Sequence, residues 1–292
     1  MNKFVKSATI SACLSGILLT CTVAHADSKV GDTIVTIGED LSQKERKQIL
    51  EEMSIEKETQ ILTISNEEEH HYLDSYIPKA QIGSKSLSST RITNISPGSG
   101  VMVKAHHVTW VTESMFENAL ATAGVKDVDV YVTAPYDVSG TAALTGVMKA
   151  YETSTNTSIP EEKKQIANEE MVTTAQLADT LGPDKAQELM KRLKEEVAKQ
   201  KPESEDEMEK IIRLTSEAMG ISLPDPIVSS LVDLFLKMEK LDIDWGSVIS
   251  QVMASGEKVG DIIQSDEANS FINSAKESLQ SFWKLVTSLF NK

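Results

Sequence analysis

Val128-Asp129-Val130-Tyr131-Val132-Thr133 runs directly into Ala134-Pro135-Tyr136-Asp137-Val138-Ser139-Gly140-Thr141-Ala142-Ala143-Leu144-Thr145-Gly146. In the first six residues valine alternates with a polar or aromatic residue. That is the period of a strand with one buried and one solvated face. Residues 134–139 then read as a loop, with Pro135 as its punctuation. A helix is expected from there to about Tyr151. A strand, loop and helix in this order make the region α+β rather than an all-helical bundle.

The same alternation of short strands and helices extends upstream. Thr33-Ile34-Val35-Thr36-Ile37 reads as a buried strand. Ser42-Gln43-Lys44-Glu45 is a capping-box pattern that opens a helix. Residues 59–64 read as a second strand, and residues 67–77 as a helix that Pro78 ends. Residues 91–95 and 101–108 are expected to form a hairpin around Pro97-Gly98-Ser99-Gly100. Residues 112–123 form a helix stopped by Gly124. Downstream the pattern changes. Thr153-Ser154-Thr155-Asn156-Thr157-Ser158 is a polar run, and everything after it reads as helical. Ser158-Ile159-Pro160-Glu161 is a second capping-box pattern, and Gly182-Pro183 separates two helices. A short helix is expected after Asp244, ending near Gly256. The expected organisation is an α+β domain over residues 27–155, containing a small sheet, and a helical domain over 156–292.

The N-terminus predicts where the chain works. Lys3 and Lys6 precede an uncharged, mostly apolar stretch at 7–23, and Ala24-His25-Ala26 precedes Asp27. This is the signature of a secretory signal peptide over residues 1–26, cleaved after Ala26. The expected localisation is secreted and extracellular, with retention at the cell envelope left open. No later stretch reaches the roughly 20 apolar residues that a membrane span needs. Cys13 and Cys21 are the two cysteines, and both leave with the signal. Disulfides, thiol catalysis and cysteine-ligated metals are thereby excluded for the mature chain. The formal net charge is −15, and loss of Lys3 and Lys6 makes the mature chain more acidic still. Such a chain repels nucleic acid and anionic lipid.

Glu67-Glu68-Glu69-His70-His71-Tyr72 is the densest run of ionisable groups. Residues three and four apart share a helix face, so Glu67 is placed to meet His70 or His71. A carboxylate such as Glu69 beside His70 is also what general-base catalysis requires. The plainer reading is an acidic first turn that complements the helix dipole. His106 and His107 lie on an expected strand, so their rings should point to opposite faces. The histidine spacing matches no metal-ligand motif, so no metal site and no cofactor are expected. Ser139 sits where a strand meets a helix, where free backbone N–H groups attract anions. It is a candidate nucleophile, with Gly140 and Thr141 as candidate contacts; the plainer reading makes Ser139 or Thr141 the helix cap and Gly140 and Gly146 points of close packing. In the final helix, Ile272, Ala275, Leu279, Phe282, Val286 and Leu289 follow a near-heptad spacing. Such a stripe packs on its own domain or pairs two copies of the chain.

Four stretches carry a resemblance to a known family. They are Glu68-Glu69-His70-His71-Tyr72-Leu73, Ile82-Gly83-Ser84-Lys85-Ser86-Leu87-Ser88-Ser89, Val108-Thr109-Trp110-Val111-Thr112, and residues 118–125 continuing through Ala134-Pro135 to Gly146. Together they cover most of residues 33–152. On these the chain resembles the YpuA family, an exported bacterial domain of unknown function common in Gram-positive organisms. The resemblance implies export and a two-part architecture, and it supplies no reaction. His71, His106 and His107 depart from the family's pattern. The function expected is a non-catalytic binding or structural protein at the cell envelope, with an envelope component as partner. The alternatives are an envelope hydrolase or transferase using His70 with Glu69 or Ser139, with Glu68 and Tyr72 as further contacts, and a divalent-metal binder.

Overall fold

The computed structural model describes residues 29–55, 58–241 and 243–262. The expected signal peptide and the heptad-spaced C-terminal helix lie outside the described residues. The first part runs β1 (Thr33–Gly38), α1 (Gln43–Glu52), β2 (Gln60–Ile64), α2 (Asn66–Leu73), α3 (Lys79–Ile82), β3 (Ser89–Asn94), β4 (Val101–Ala105), α4 (Glu113–Ala123), β5 (Val128–Thr133) and α5 (Thr141–Thr155). The second part runs α6 (Glu161–Leu181), α7 (Pro183–Gln200), α8 (Glu205–Ala218), α9 (Asp225–Lys240) and α10 (Trp245–Ile262). The architecture is α+β, a small mixed sheet followed by helices.

The strands form a five-stranded sheet in the order β2-β1-β3-β5-β4. β1 and β2 are parallel, as are β4 and β5, and β3 runs antiparallel between β1 and β5. Each parallel pair is joined by one helix, α1 or α4, because a parallel return needs a crossover. The expected hairpin of β3 with β4 does not form, since β5 is inserted between them. Residues 95–100 are too long for a tight reversal and wrap Asp127 instead. Ile95 N donates to Asp127 O at 2.9 Å, and Gly100 N donates to Asp127 Oδ1 at 3.0 Å. β5 then enters the gap, with Val128 N donating to Gly100 O at 3.1 Å.

Side-chain alternation divides the sheet's faces. Ile34, Ile92, Val101, Val103, Val128, Val130 and Val132 join the core beneath α4 and α5. Val35 and Ile37 turn the other way, onto Ile49 and Met53 of the α1 side. The Ser42–Glu45 capping box that starts α1 is present. α5 crosses so close to β1 that a Cβ on Gly146 would lie 2.6 Å from Thr36 Oγ1. The outer edge of β4 is not left open. Val103 N donates to Glu117 Oε1 at 3.1 Å and Ala105 N to Glu113 Oε1 at 2.9 Å. Side chains of α4 thus occupy positions that a foreign strand would otherwise claim.

α5 continues through Thr155 into the polar run, and Asn156 ends it in the left-handed conformation. α6 then begins with Pro160 at its N-cap and no side-chain cap, so Ser158 does not form the expected box. Glu152 intervenes, its Oε1 accepting from Ile159 N at 2.7 Å. α6 is shared between two cores. Ala167, Met171 and Ala175 join the core under the sheet, as does Ile159 just ahead of the helix, whereas Ile166 and Leu177 join the helical core with α7, α8 and α9. α10 passes Gly256 and reaches Ile262, where a shorter helix was expected. An interior glycine costs a helix only about 0.5–1 kcal/mol, too little to end it alone.

Candidate functional site

α2 sets out the acidic cluster, and its cap decides what each carboxylate can do. Ser65 accepts from Glu68 N at 3.1 Å, while Glu68 Oε2 accepts from Ser65 N at 2.9 Å. One oxygen of Glu68 is thereby committed to the cap. The other accepts from Lys149 Nζ of α5 at 2.6 Å. These hydrogen bonds and the lysine outweigh burial and hold Glu68 below the usual carboxylate range.

Glu69, one residue on, points about 100° around the helix and into the protein. It is 2% exposed, and its Oε1 accepts from Thr141 Oγ1 at 2.6 Å. Burial pushes its carboxyl up to about 7. Glu69 does not orient His70. The imidazole instead meets Asp74, one turn further on the same face, with Nδ1 2.6 Å from Asp74 Oδ1. Its Nε2 lies 3.0 Å from the Gly83 carbonyl. Both partners are acceptors, so both ring nitrogens donate and the imidazolium is the form that fits. The Asp74 and Gly83 hydrogen bonds raise the His70 pKa against its partial burial. A ring held this way has no free lone pair with which to take a proton.

The expected contact of Glu67 with His70 or His71 is replaced as well. His71 Nε2 lies 2.9 Å from Glu161 Oε1 of α6, and Tyr72 Oη donates to Glu161 Oε2 at 3.3 Å. Burial, with Glu161 close by, pushes the Tyr72 hydroxyl up to about 12.

Ser139, Gly140 and Thr141 form a packed junction beside Glu69. Gly140 is the N-cap of α5 at φ 94°, and no side chain caps the helix. Neither Ser139 nor Thr141 is therefore the cap. A Cβ on Gly140 would lie 2.4 Å from Val108 Cγ1, so this backbone has no room for a side chain. Thr141 donates to Glu69, which leaves Ser139 Oγ to donate to Thr141 Oγ1 at 3.0 Å. The chain of hydroxyls runs from Ser139 through Thr141 to Glu69. It does not pass through His70.

His106 and His107 are also corrected. β4 ends at Ala105, and His107 takes φ 56°, so the strand alternation no longer applies. The two rings lie 4.0 Å apart rather than on opposite faces. His106 Nδ1 is 3.0 Å from Glu52 Oε1, and His107 Nδ1 is 2.8 Å from Asp137 Oδ1. Among the described residues, no group of three or more His, Asp or Glu side chains is placed to hold a metal ion.

A cleft of about 750 Å³ opens between α2, α5 and α6. α2 contributes Glu67, Glu68, His70, His71 and Tyr72. α5 contributes Thr145, Met148, Lys149 and Glu152, and α6 contributes Lys164. Lys164 Nζ lies 3.0 Å from Glu152, and both side chains are largely screened from solvent. Of the candidate residues, Glu68, His70 and Tyr72 line this cleft, whereas Glu69, Ser139, Gly140 and Thr141 meet at the neighbouring junction. Thr145, Lys149, Glu152 and Lys164 were missed. Residues 145, 149 and 152 share one helical face in the sequence, but nothing local shows that α2 and α6 lie opposite them.

No solved structure matches the chain. The uncharacterised protein YpuA of Bacillus subtilis (strain 168) is 44% identical over 275 residues, 94% of this chain and 95% of that protein. The profile of DUF1002, a family of proteins of unknown function, matches residues 37–255. The chain belongs to the DUF1002 family.

Proposed function

We propose that this chain is an exported, non-catalytic binding protein of the cell envelope, and that its ligand sits in the cleft between α2, α5 and α6. The observation that carries this reading is the cleft itself. Charged side chains of three helices converge on one cavity, and His70, one of its two histidines, is held by acceptors at both nitrogens. Such a lining orients a polar ligand. Export rests on the signal-peptide pattern of residues 1–26.

The test uses mature protein, immobilised and exposed to a digest of envelope material. Mass spectrometry then identifies what is retained. Retention by the wild type and its loss in Lys149→Met/Lys164→Met supports the reading. Equal retention by both proteins places the ligand elsewhere. N-terminal sequencing of secreted protein should begin at Asp27.

A second reading, an envelope hydrolase or transferase, is favoured by one observation. The Ser139–Thr141–Glu69 hydroxyl chain ends in a carboxylate, so Ser139 has a route by which to pass its proton. His70 has no part in this version. Covalent labelling of Ser139 by a serine-reactive probe, lost in Glu69→Gln, would support it.

A further inference from the structure

Opposite charges in the cleft stand in close pairs that remain open to solvent. Lys149 Nζ lies 2.6 Å from Glu68 Oε1, and Lys164 Nζ lies 3.0 Å from Glu152 Oε1. His70 and Asp74 form a third pair at 2.6 Å. None of these six side chains is sealed, their exposures running from 16% to 38%. The lining as a whole is close to neutral, because the carboxylates of Glu67, Glu68, Asp74 and Glu152 meet Lys149, Lys164 and the doubly hydrogen-bonded His70. Tyr72 lines the same cleft, its ring T-shaped against His71 with centroids 4.9 Å apart and its hydroxyl tied to Glu161.

Such a lining suits a neutral ligand better than an ion. A lone anion or cation meets a group of its own sign beside each opposite charge. A hydroxyl meets no such conflict, because it accepts from an ammonium and donates to a carboxylate. Two vicinal hydroxyls held gauche on a ring carry their oxygens about 2.8–2.9 Å apart. That spacing matches the 2.6 Å and 3.0 Å between the charged atoms of the two lysine pairs. One hydroxyl accepts from the lysine while its neighbour donates to the carboxylate, and the ion pair stays closed. Hydrogen bonds to charged groups of this kind are stronger than those between neutral ones. Lys149 and Glu152 stand three residues apart on α5, so their Cβ atoms are about 5–6 Å apart, roughly the length of one pyranose unit. The face of Tyr72 carries the negative side of its ring quadrupole, which suits the weakly positive C–H face of a pyranose. We infer that the cleft binds a short neutral oligosaccharide with vicinal hydroxyls, successive rings meeting the Lys149–Glu68 and Lys164–Glu152 pairs. The cavity, about 750 Å³, falls within the range of small-molecule sites and holds about two or three such rings. This inference rests on the cleft being the binding site.

The test incubates the mature protein with a pool of neutral hexose trisaccharides and with the same pool treated with periodate and then borohydride. Periodate cleaves the carbon–carbon bond of a vicinal diol and spares isolated hydroxyls, and borohydride reduces the aldehydes that result. Retained sugars are counted by mass spectrometry. The intact pool should be retained at least about tenfold better than the cleaved pool. Retention should change less than about twofold between low and high salt, since no charge is exchanged on binding. Lys149→Met should lower retention about tenfold and Tyr72→Leu about fivefold, whereas Tyr72→Phe, which keeps the ring, should retain it. Melting midpoints taken alongside show that each variant is folded. Equal retention of both pools, or a steep fall with salt, overturns the saccharide assignment and leaves the cleft as the site. Retention of envelope digest but of neither pool has the same consequence. Unchanged retention of intact sugars in both Lys149→Met and Tyr72→Leu overturns the assignment together with the cleft reading.

Discussion

Glu69 Oε1 and Thr141 Oγ1 are 2.6 Å apart across 72 residues of sequence, and this hydrogen bond fastens α2 to the first turn of α5. It is also the point where the cleft and the Ser139 junction meet, because α2 presents Glu68 to one and Glu69 to the other. The bond stays in place whether or not Glu69 is charged, since the threonine donates in either case. Charge state therefore affects stability more than geometry.

Glu69 should make the protein less stable as pH rises from about 4.5 to about 7. Burial raises its carboxyl from 4.5 to about 7, so in this window the folded chain keeps a proton that the unfolded chain has released. Below the window both states are protonated and the cost is absent; above it the cost is complete. Glu69→Gln cannot ionise and still accepts from Thr141. Denaturant titrations should find the variant close to wild type at pH 4.5 and more stable by about 1–3 kcal/mol at pH 8. Equal differences at both pH values would remove the buried carboxyl from the account.

His70 acts in the opposite sense. The Asp74 and Gly83 acceptors raise its pKa above 6.5, so its stabilising charge is fully present below pH 6.5 and lost as pH rises through the raised value. Thermal melts should show His70→Ala more destabilising at pH 6 than at pH 9. Asp74→Asn should shrink that difference, because Asp74 is the larger of the two causes.

At the α5 junction, Gly140→Val should cost far more than Ser139→Ala. The glycine has φ 94° and faces Val108 Cγ1 at 2.4 Å from any added Cβ. Left-handed strain and overpacking each contribute about 1–3 kcal/mol. Ser139 caps nothing and loses a single hydroxyl contact to Thr141, worth about 1 kcal/mol. Melting curves of the two variants rank them directly, and a larger drop for Ser139→Ala would contradict the packing described.

Between α6 and α7, Lys194 and Glu170 form an ion pair at 2.5 Å whose side chains are 2% and 1% exposed. Thr122 links the two, donating to Glu170 Oε2 at 2.6 Å and accepting from Lys194 Nζ at 2.9 Å. Lys194→Met should destabilise by about 3–5 kcal/mol, because it strands a buried carboxylate. Adding Glu170→Leu should recover part of that loss. Additive losses in the double variant would show that the two side chains do not act as a pair.

Much of the local structure is written in short-range pattern. The alternation of Val128, Val130 and Val132 marks β5, Ser42 and Glu45 mark the start of α1, and Gly124 in the left-handed conformation ends α4. These depend on a side chain and its near neighbours, which a window of sequence contains. The hairpin expected from residues 91–95 and 101–108 failed for the opposite reason. Local turn residues announce a change of direction but do not say which strand will fill the gap, and here Asp127 brings β5 into it. His106 and His107 were misplaced because the strand ends one residue before them.

The sequence by itself determined the α+β character, the Ser42 cap of α1, the Gly124 stop of α4, the acidic first turn of α2 and the membership of Glu68, His70 and Tyr72 in one helix. Only the tertiary structure decided what those residues face. Helical spacing places Glu69 and His70 about 100° apart but cannot say that Thr141 waits for one and Asp74 with Gly83 for the other. Nor can it bring Lys149 and Lys164 to the rim opposite Glu68. Ionic and hydrogen-bond partners are chosen by proximity in space, and proximity follows from how α5 and α6 bury their apolar faces against the sheet and the helical core.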